Sequence, residues 1–220
     1  MKSYTLQSSF QQQSIIMVEL DYFASFLKKN LVDDSIDDES ASLNKTILLN
    51  CARDLHKSLY AYQLLDIKGA SQHCSQLEKK LWSYKSLKST ELFHIGLLTI
   101  CKDTNIPLHD HPGAYGFQYV ISGHIKIQEY QHSADKKAKP SISSLQKIAE
   151  YKLKKGGVSV FQPVVGNIHK MNSLSKNSVL LSMQLHPFLA QERSWYFPIN
   201  SLPDSHETLF SRIQARNTRH

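Results

Sequence analysis

The chain is poor in cysteine. Cys51, Cys74 and Cys101 are the only three in 220 residues, and no two form a C-x-x-C pair. Such spacing carries no disulfide framework, and it leads us to expect a reduced, cytoplasmic setting. A basic start followed by a long apolar core is also missing from "MKSYTLQSSFQQQSIIMVEL", so no secretory signal is expected. No apolar run approaches the roughly 18 residues needed to span a bilayer, which argues against a membrane partner. Interleaved arginines and aromatics are lacking too. The formal net charge of +7 comes from scattered lysines, such as Lys136, Lys137, Lys139, Lys152, Lys154 and Lys155. A solvated lysine surface explains that excess, and no nucleic-acid partner is expected.

What remains is an ordinary globular composition, 41% hydrophobic and 20% charged, long enough to bury one sizeable core. Up to about residue 90 the pattern is helical. "MVELDYFASFLKKN" places Val18, Tyr22, Phe23 and Phe26 at helical spacing, and an acidic stretch, Asp33–Ser40, then interrupts the apolar pattern. From Leu43, the positions Ile47, Leu48, Cys51, Leu55, Leu59 and Tyr62 line one helix face. "ASQHCSQLEKKLWSY" predicts a further helix.

Near Leu92 the period drops from 3.6 to 2. "ELFHIGLLTI", "GFQYVIS", "HIKIQEY", "VSVFQPV" and "SVLLSMQL" predict short antiparallel strands of a sandwich or small barrel. The polar, lysine-rich stretch from His132 to Lys155 predicts an irregular excursion or lid. "ETLFSRIQARNTRH" at the end predicts a short basic helix with a frayed tail. The expected organisation is a helical segment over 1–90 packed on a β-barrel over 91–200, followed by a tail over 201–220, all in one structural domain.

Two clusters carry chemistry. "IPLHDHPGAYGFQYVISG" sets His109 and His111 two apart at a strand edge, where alternate side chains point the same way and can converge on one metal ion. "GGVSVFQPVVGNIHKMN" adds His169, 58 residues beyond His111, natural spacing for two strands facing each other across a barrel. An H-x-H followed at a distance by G-x5-P and G-x2-H resembles the two signature stretches of the cupin superfamily. That resemblance implies a double-stranded β-helix with a metal in its mouth. A glutamate often follows the H-x-H by four or five residues in cupins, but Tyr115 and Gly116 stand there, so three neutral imidazoles are the expected ligand set.

The longer stretches "IGLLTICKDTNIPLHDHPGAYGFQYVISGHIKI", "GNIHKMNSLSKNSVLLSMQLHPF" and "ERSWYF" resemble the thiol dioxygenases of the cysteamine dioxygenase and plant cysteine oxidase group, from about Phe93 to Phe197. The resemblance implies Fe(II) held by His109, His111 and His169. It also implies that both atoms of O2 are added to the sulfur of a small thiol or an N-terminal cysteine peptide, giving a sulfinic acid. A three-histidine set does not by itself name iron, since zinc sites use it as well. An isomerase, a zinc hydrolase or a non-enzymatic metal-containing sensing module therefore remain alternatives.

In "SVLLSMQLHPF", Val179, Leu181, Met183 and Leu185 form an apolar face, and Ser178, Leu180, Ser182, Gln184 and His186 a mixed one. The mixed face is expected to look toward the site, with Ser182, Gln184, His186 and Gln118 as substrate-binding residues. Related enzymes acting on amine-bearing thiols place an aspartate where Ser182 stands. Cysteine dioxygenases often carry a cross-linked cysteine where Gly116 stands, so no cross-link is expected here. His94 and His124 read as structural or exposed histidines, and a monomer is expected.

Overall fold

Apolar residues at every second position drive most of the chain beyond Trp82 into strands. The computed structural model describes residues 18, 20–31, 38–61, 82–133, 141–163, 166–185, 193–199 and 207–214. Two helices come first, α1 over 20–30 and α2 at Asp38–Ala61. Eleven strands follow among the described residues: β1 Trp82–Ser89, β2 Phe93–Cys101, β3 Asn105–His109, β4 Tyr115–Ser122, β5 His124–His132, β6 Ile142–Lys154, β7 Val158–Phe161, β8 Ile168–Ser173, β9 Asn177–Leu185, β10 Ser194–Pro198 and β11 Glu207–Gln214. One sheet has the order β1-β2-β9-β4-β7, and six strands close on one another in the order β10-β11-β6-β5-β8-β3. The pairings are antiparallel. The fold is thus mainly β, a cupin-type double-stranded β-helix with helices at its N-terminal side.

Two cores hold it. On the outer face of the five-stranded sheet, Leu48, Leu55 and Leu59 of α2 pack with Phe93, Phe117, Leu181 and Met183. Between the sheets, Leu98, Val120, Ile125, Met171 and Leu180 form a second cluster. β9 feeds both, as its alternation predicts: Val179, Leu181, Met183 and Leu185 face the helices, and Leu180 faces inward.

Several expectations need correction. Helix α1 forms, but Leu20, Ala24 and Leu27 make its buried face; of the expected positions Phe23 packs against the core, while Val18, Tyr22 and Phe26 are exposed. Ala24 is fully buried in the core cluster, and a buried Lys88 Nζ holds Asp21 at 2.7 Å. The lysine-rich stretch is not an excursion over 142–154. It is β6, paired with both β5 and β11, its outward half supplied by exposed residues such as Gln146, Lys147 and Lys152. Residues 134–140 lie outside the described part. The expected C-terminal helix is the strand β11, paired with β10 and β6. Of the helix expected over 70–84, Trp82, Ser83 and Tyr84 begin β1, and the rest lies outside the described residues. Cys101 is disulfide-bonded, whereas Cys51 is free and buried. The cysteine pattern therefore does not decide the compartment. No described helix is long and apolar enough to cross a membrane.

Candidate metal centre

His109 closes β3 and His169 lies on β8, where the two are register partners. His111 follows two residues after His109, beyond the strand end. The three ring centroids form a nearly equilateral triangle with sides of 4.8, 4.9 and 4.9 Å. One nitrogen from each lies within 4.8 Å of the others, so the group could hold a metal ion. All three side chains are buried.

Their tautomers suit that task. His109 Nδ1 donates to the Pro107 carbonyl at 2.8 Å, and His169 Nδ1 faces the Gly166 carbonyl at 3.2 Å. A proton held on Nδ1 leaves the Nε2 lone pair for a metal. His111 Nε2 and His169 Nε2 are 3.3 Å apart, the spacing of two nitrogens each about 2.1 Å from one ion. Burial is the first cause keeping all three rings neutral. It holds His109 and His111 well below the ordinary histidine value, with neighbouring histidines and Arg193 adding to it. It takes His169 to about 4 against the opposing pull of the Gly166 carbonyl.

Surrounding contacts fix these rings. Phe161 stacks on His111 at 4.4 Å, and Trp195 tilts over His109 at 5.0 Å. The Asn167 side chain accepts from the His111 backbone N–H at 2.5 Å and donates to the Pro163 carbonyl at 2.9 Å. This joins the two histidine-bearing segments. Asp110, between the paired histidines, points elsewhere. Its carboxylate accepts from the Ser194 N–H at 2.6 Å and the Tyr196 hydroxyl at 2.9 Å, tying the loop to β10.

His109 and His111 open on a cavity of about 220 Å³ between the two sheets. His109 and His111 line it from one side, and Gln118 of β4 with Ser182 and Gln184 of β9 line it from the other. The mixed face of β9 therefore looks where the sequence pattern predicts. His186 lies outside the described residues. Gln184 also hydrogen-bonds His111, a contact that favours the ring's protonated form. Tyr84, His94, Arg193 and Trp195 complete much of the lining. The pattern did not single these out for the site: β1, β2 and β10 bring them in from separate strands, with no local motif. His94, read as structural, stacks on Tyr84 at 5.0 Å inside the cavity wall.

A model of the PCO_ADO family, the plant cysteine oxidase and cysteamine dioxygenase family, matches residues 45–215. The chain belongs to this family. The match spans the barrel, the three histidines and most of α2. No curated protein matches the chain. Among solved structures, it is similar to the Schizosaccharomyces pombe Cnp3 cupin domain (16% identity, TM-score 0.37), covering 48% of this chain and 61% of that one. It is likewise similar to a conserved Klebsiella pneumoniae protein with a double-stranded β-helix domain (16% identity, TM-score 0.36), covering 49% of this chain and 79% of that one. The chain spans less than two thirds of the first of these.

Within the plant cysteine oxidase and cysteamine dioxygenase family, this member has a physical reason for the glycine at 116. A Cβ there would meet the Phe161 ring at 2.3 Å and the Met183 carbonyl at 2.4 Å. Phe161 is the ring stacked on His111, so neither a glutamate ligand nor a cross-linking cysteine fits beneath it.

Proposed function

We propose that the protein is an iron(II) thiol dioxygenase that converts a small thiol or a cysteine-type substrate to its sulfinate, RS⁻ + O2 → RSO2⁻. His109, His111 and His169 would hold the metal, and Gln118, Ser182 and Gln184 would contact the substrate. The observation that carries the reading is a buried triad of neutral imidazoles beside a cavity whose described lining includes no aspartate or glutamate. A divalent ion held by neutral ligands keeps its full charge and favours an anionic thiolate as a further partner. Bound there, iron supplies the redox chemistry that joins O2 to sulfur.

The protein's own contribution is orientation and exclusion of water. Carbonyl acceptors at Pro107 and Gly166 aim two Nε2 atoms inward, while Phe161 and Trp195 wall the rings. The cavity falls below the usual range of about 300–1,000 Å³ for drug-sized ligands, which favours a small substrate. Gln118 Oε1 is buried in its wall without a hydrogen-bond partner, as a group meant for a ligand would be.

Iron-loaded protein, a thiol and ¹⁸O-labelled O2 test the reading. A product heavier by two labelled oxygens is expected. A product whose added oxygen carries no label, and so comes from water, would instead indicate hydroxide chemistry at a bound metal and would remove the dioxygenase reading.

A further inference from the structure

Arg193 brings a positive charge to this cavity, just ahead of β10, and it is the one Lys, Arg, Asp or Glu among the described lining residues. Its Nη2 lies 3.1 Å from His111 Nδ1, which places the guanidinium beside the triad. The Asp110 carboxylate, which accepts from Ser194 and Tyr196, acts on the Arg193 charge from outside the lining. A substrate ammonium entering here would meet a like charge and no acid in the lining.

A carboxylate would meet the opposite. Five N–H groups let a guanidinium serve several partners at once, so the contact with His111 does not exhaust it, and its planar fork matches a carboxylate. When a metal takes His111 Nε2, the ring proton must sit on Nδ1, where it cannot accept from Arg193 and can donate to another acceptor. The guanidinium then turns its N–H toward whatever acceptor shares the cavity. Nearby, the Tyr84 hydroxyl is buried in the wall with no hydrogen-bond partner. It senses the Arg193 charge, which lowers its proton affinity against the larger upward push of burial. Two donors thus face one small space from β1 and the start of β10.

We infer that Arg193, helped by the Tyr84 hydroxyl, binds a carboxylate on the substrate, so that the preferred thiol is a small mercapto acid rather than an amine-bearing thiol. The inference rests on the dioxygenase reading for the thiol end of the molecule, and on Arg193 and Tyr84 for the other end.

Calorimetric titration of the full-length, iron-loaded protein under argon tests it, with 3-mercaptopropionate, cysteamine and propane-1-thiol as the probes. The mercapto acid should bind about 10- to 100-fold more tightly than cysteamine, the range expected for a hydrogen-bonded charge pair. Arg193→Gln should abolish that preference, Arg193→Lys should restore part of it, and iron content should stay at the wild-type level in both. Cysteamine bound as tightly as the acid by the wild type would overturn the inference without any variant. So would an Arg193→Gln protein that loses iron and weakens all three thiols alike, since Arg193 would then only support His111. Oxygen uptake, read separately, keeps the two proposals apart. Uptake with no preference for the acid removes this inference and leaves the dioxygenase. Arg193-dependent binding of the acid with no uptake for any thiol upholds carboxylate recognition and removes the dioxygenase.

Discussion

The two faces of the five-stranded sheet are built from the same strands and do opposite work. Toward the helices, β2, β4 and β9 present Phe93, Ile95, Leu97, Phe117, Ile121, Leu181 and Met183, all essentially buried. Toward the cavity the same strands present His94, Gln118, Ser182 and Gln184. Adjacent residues of β9 thus differ in kind. Met183 fills a dry core, and Gln184 touches His111. A buried amide without a full set of partners costs stability, and a packed methionine adds it. Stability and recognition are divided residue by residue along one strand, so substitutions one position apart should separate them.

The largest effect belongs to the triad. His169→Ala removes a proposed metal ligand outright. Since loss of a mere supporting partner already costs about 10- to 100-fold, metal affinity should fall by more than about 100-fold. Metal analysis of the purified variant measures it, and turnover should vanish with the metal. The metal-free melting temperature should move little, because His169 lies outside the helix-side core. Wild-type metal content in this variant would break the comparison at its centre.

Next come the packed positions. Met183→Ala should destabilise by about 2–5 kcal/mol through lost burial and the remaining void, while Gln184→Ala should cost under about 1 kcal/mol and act on substrate binding instead. Chemical denaturation of the two variants reads both. Gly116→Ala sits on the cavity face yet should behave like a core change. Its Cβ collides with Phe161 and the Met183 carbonyl, and overpacking of this kind costs about 1–3 kcal/mol or more. Metal affinity should fall with it, because the displaced ring is the one stacked on His111.

What the sequence made legible follows the same division. Strict alternation exposed β2, β4, β5, β7 and β9, and the H-x-H with its distant partner exposed the triad, because both are local signals. Strand β6 was hidden because lysine and glutamine occupy much of its outward half, which reads as a polar loop until β5 and β11 are seen flanking it. In β11, Leu209 and Ile213 stand four apart, as on a helix, and both are exposed. Of the α1 positions that the helical spacing singled out, Phe23 packs against the core and Val18, Tyr22 and Phe26 are exposed, since tertiary packing took the Leu20–Ala24–Leu27 face. Arg193 and Tyr84 carry no local pattern at all. Only the closure of the two sheets brings them to one cavity.

A pH titration sharpens the comparison from the polar side. In the metal-free protein burial holds all three histidines below the ordinary value, His169 at about 4. Between about pH 6.5 and 4 the unfolded chain therefore binds more protons than the folded one, so stability falls as the pH falls through that window. Each histidine contributes a slope of up to about 1.4 kcal/mol per pH unit. Above pH 6.5 both states carry neutral rings and this dependence should disappear. Equilibrium unfolding of metal-free protein across this range measures the slope, and a stability that rises on acidification would contradict the buried, neutral triad.

The smallest effect is expected at Gln118, and its sign is the informative part. The residue is buried, and its Oε1 has no hydrogen-bond partner, so in the ligand-free protein it carries an unrecovered desolvation cost. Gln118→Met keeps nearly the same length and volume while removing that acceptor. The variant should therefore be as stable as the wild type, or more stable by up to about 1 kcal/mol. The matching change on the other face, where Leu181 is fully buried among the helices, cannot raise stability by this route, because no polar atom is relieved. Thermal melts of the metal-free variant and thiol titrations of its metal-loaded form read the two sides together: stability held or raised, thiol affinity lowered. A loss of 2 kcal/mol or more would mean that Gln118 is part of the structural core after all, and the line between the two faces of the sheet would have to be redrawn one residue further along β4.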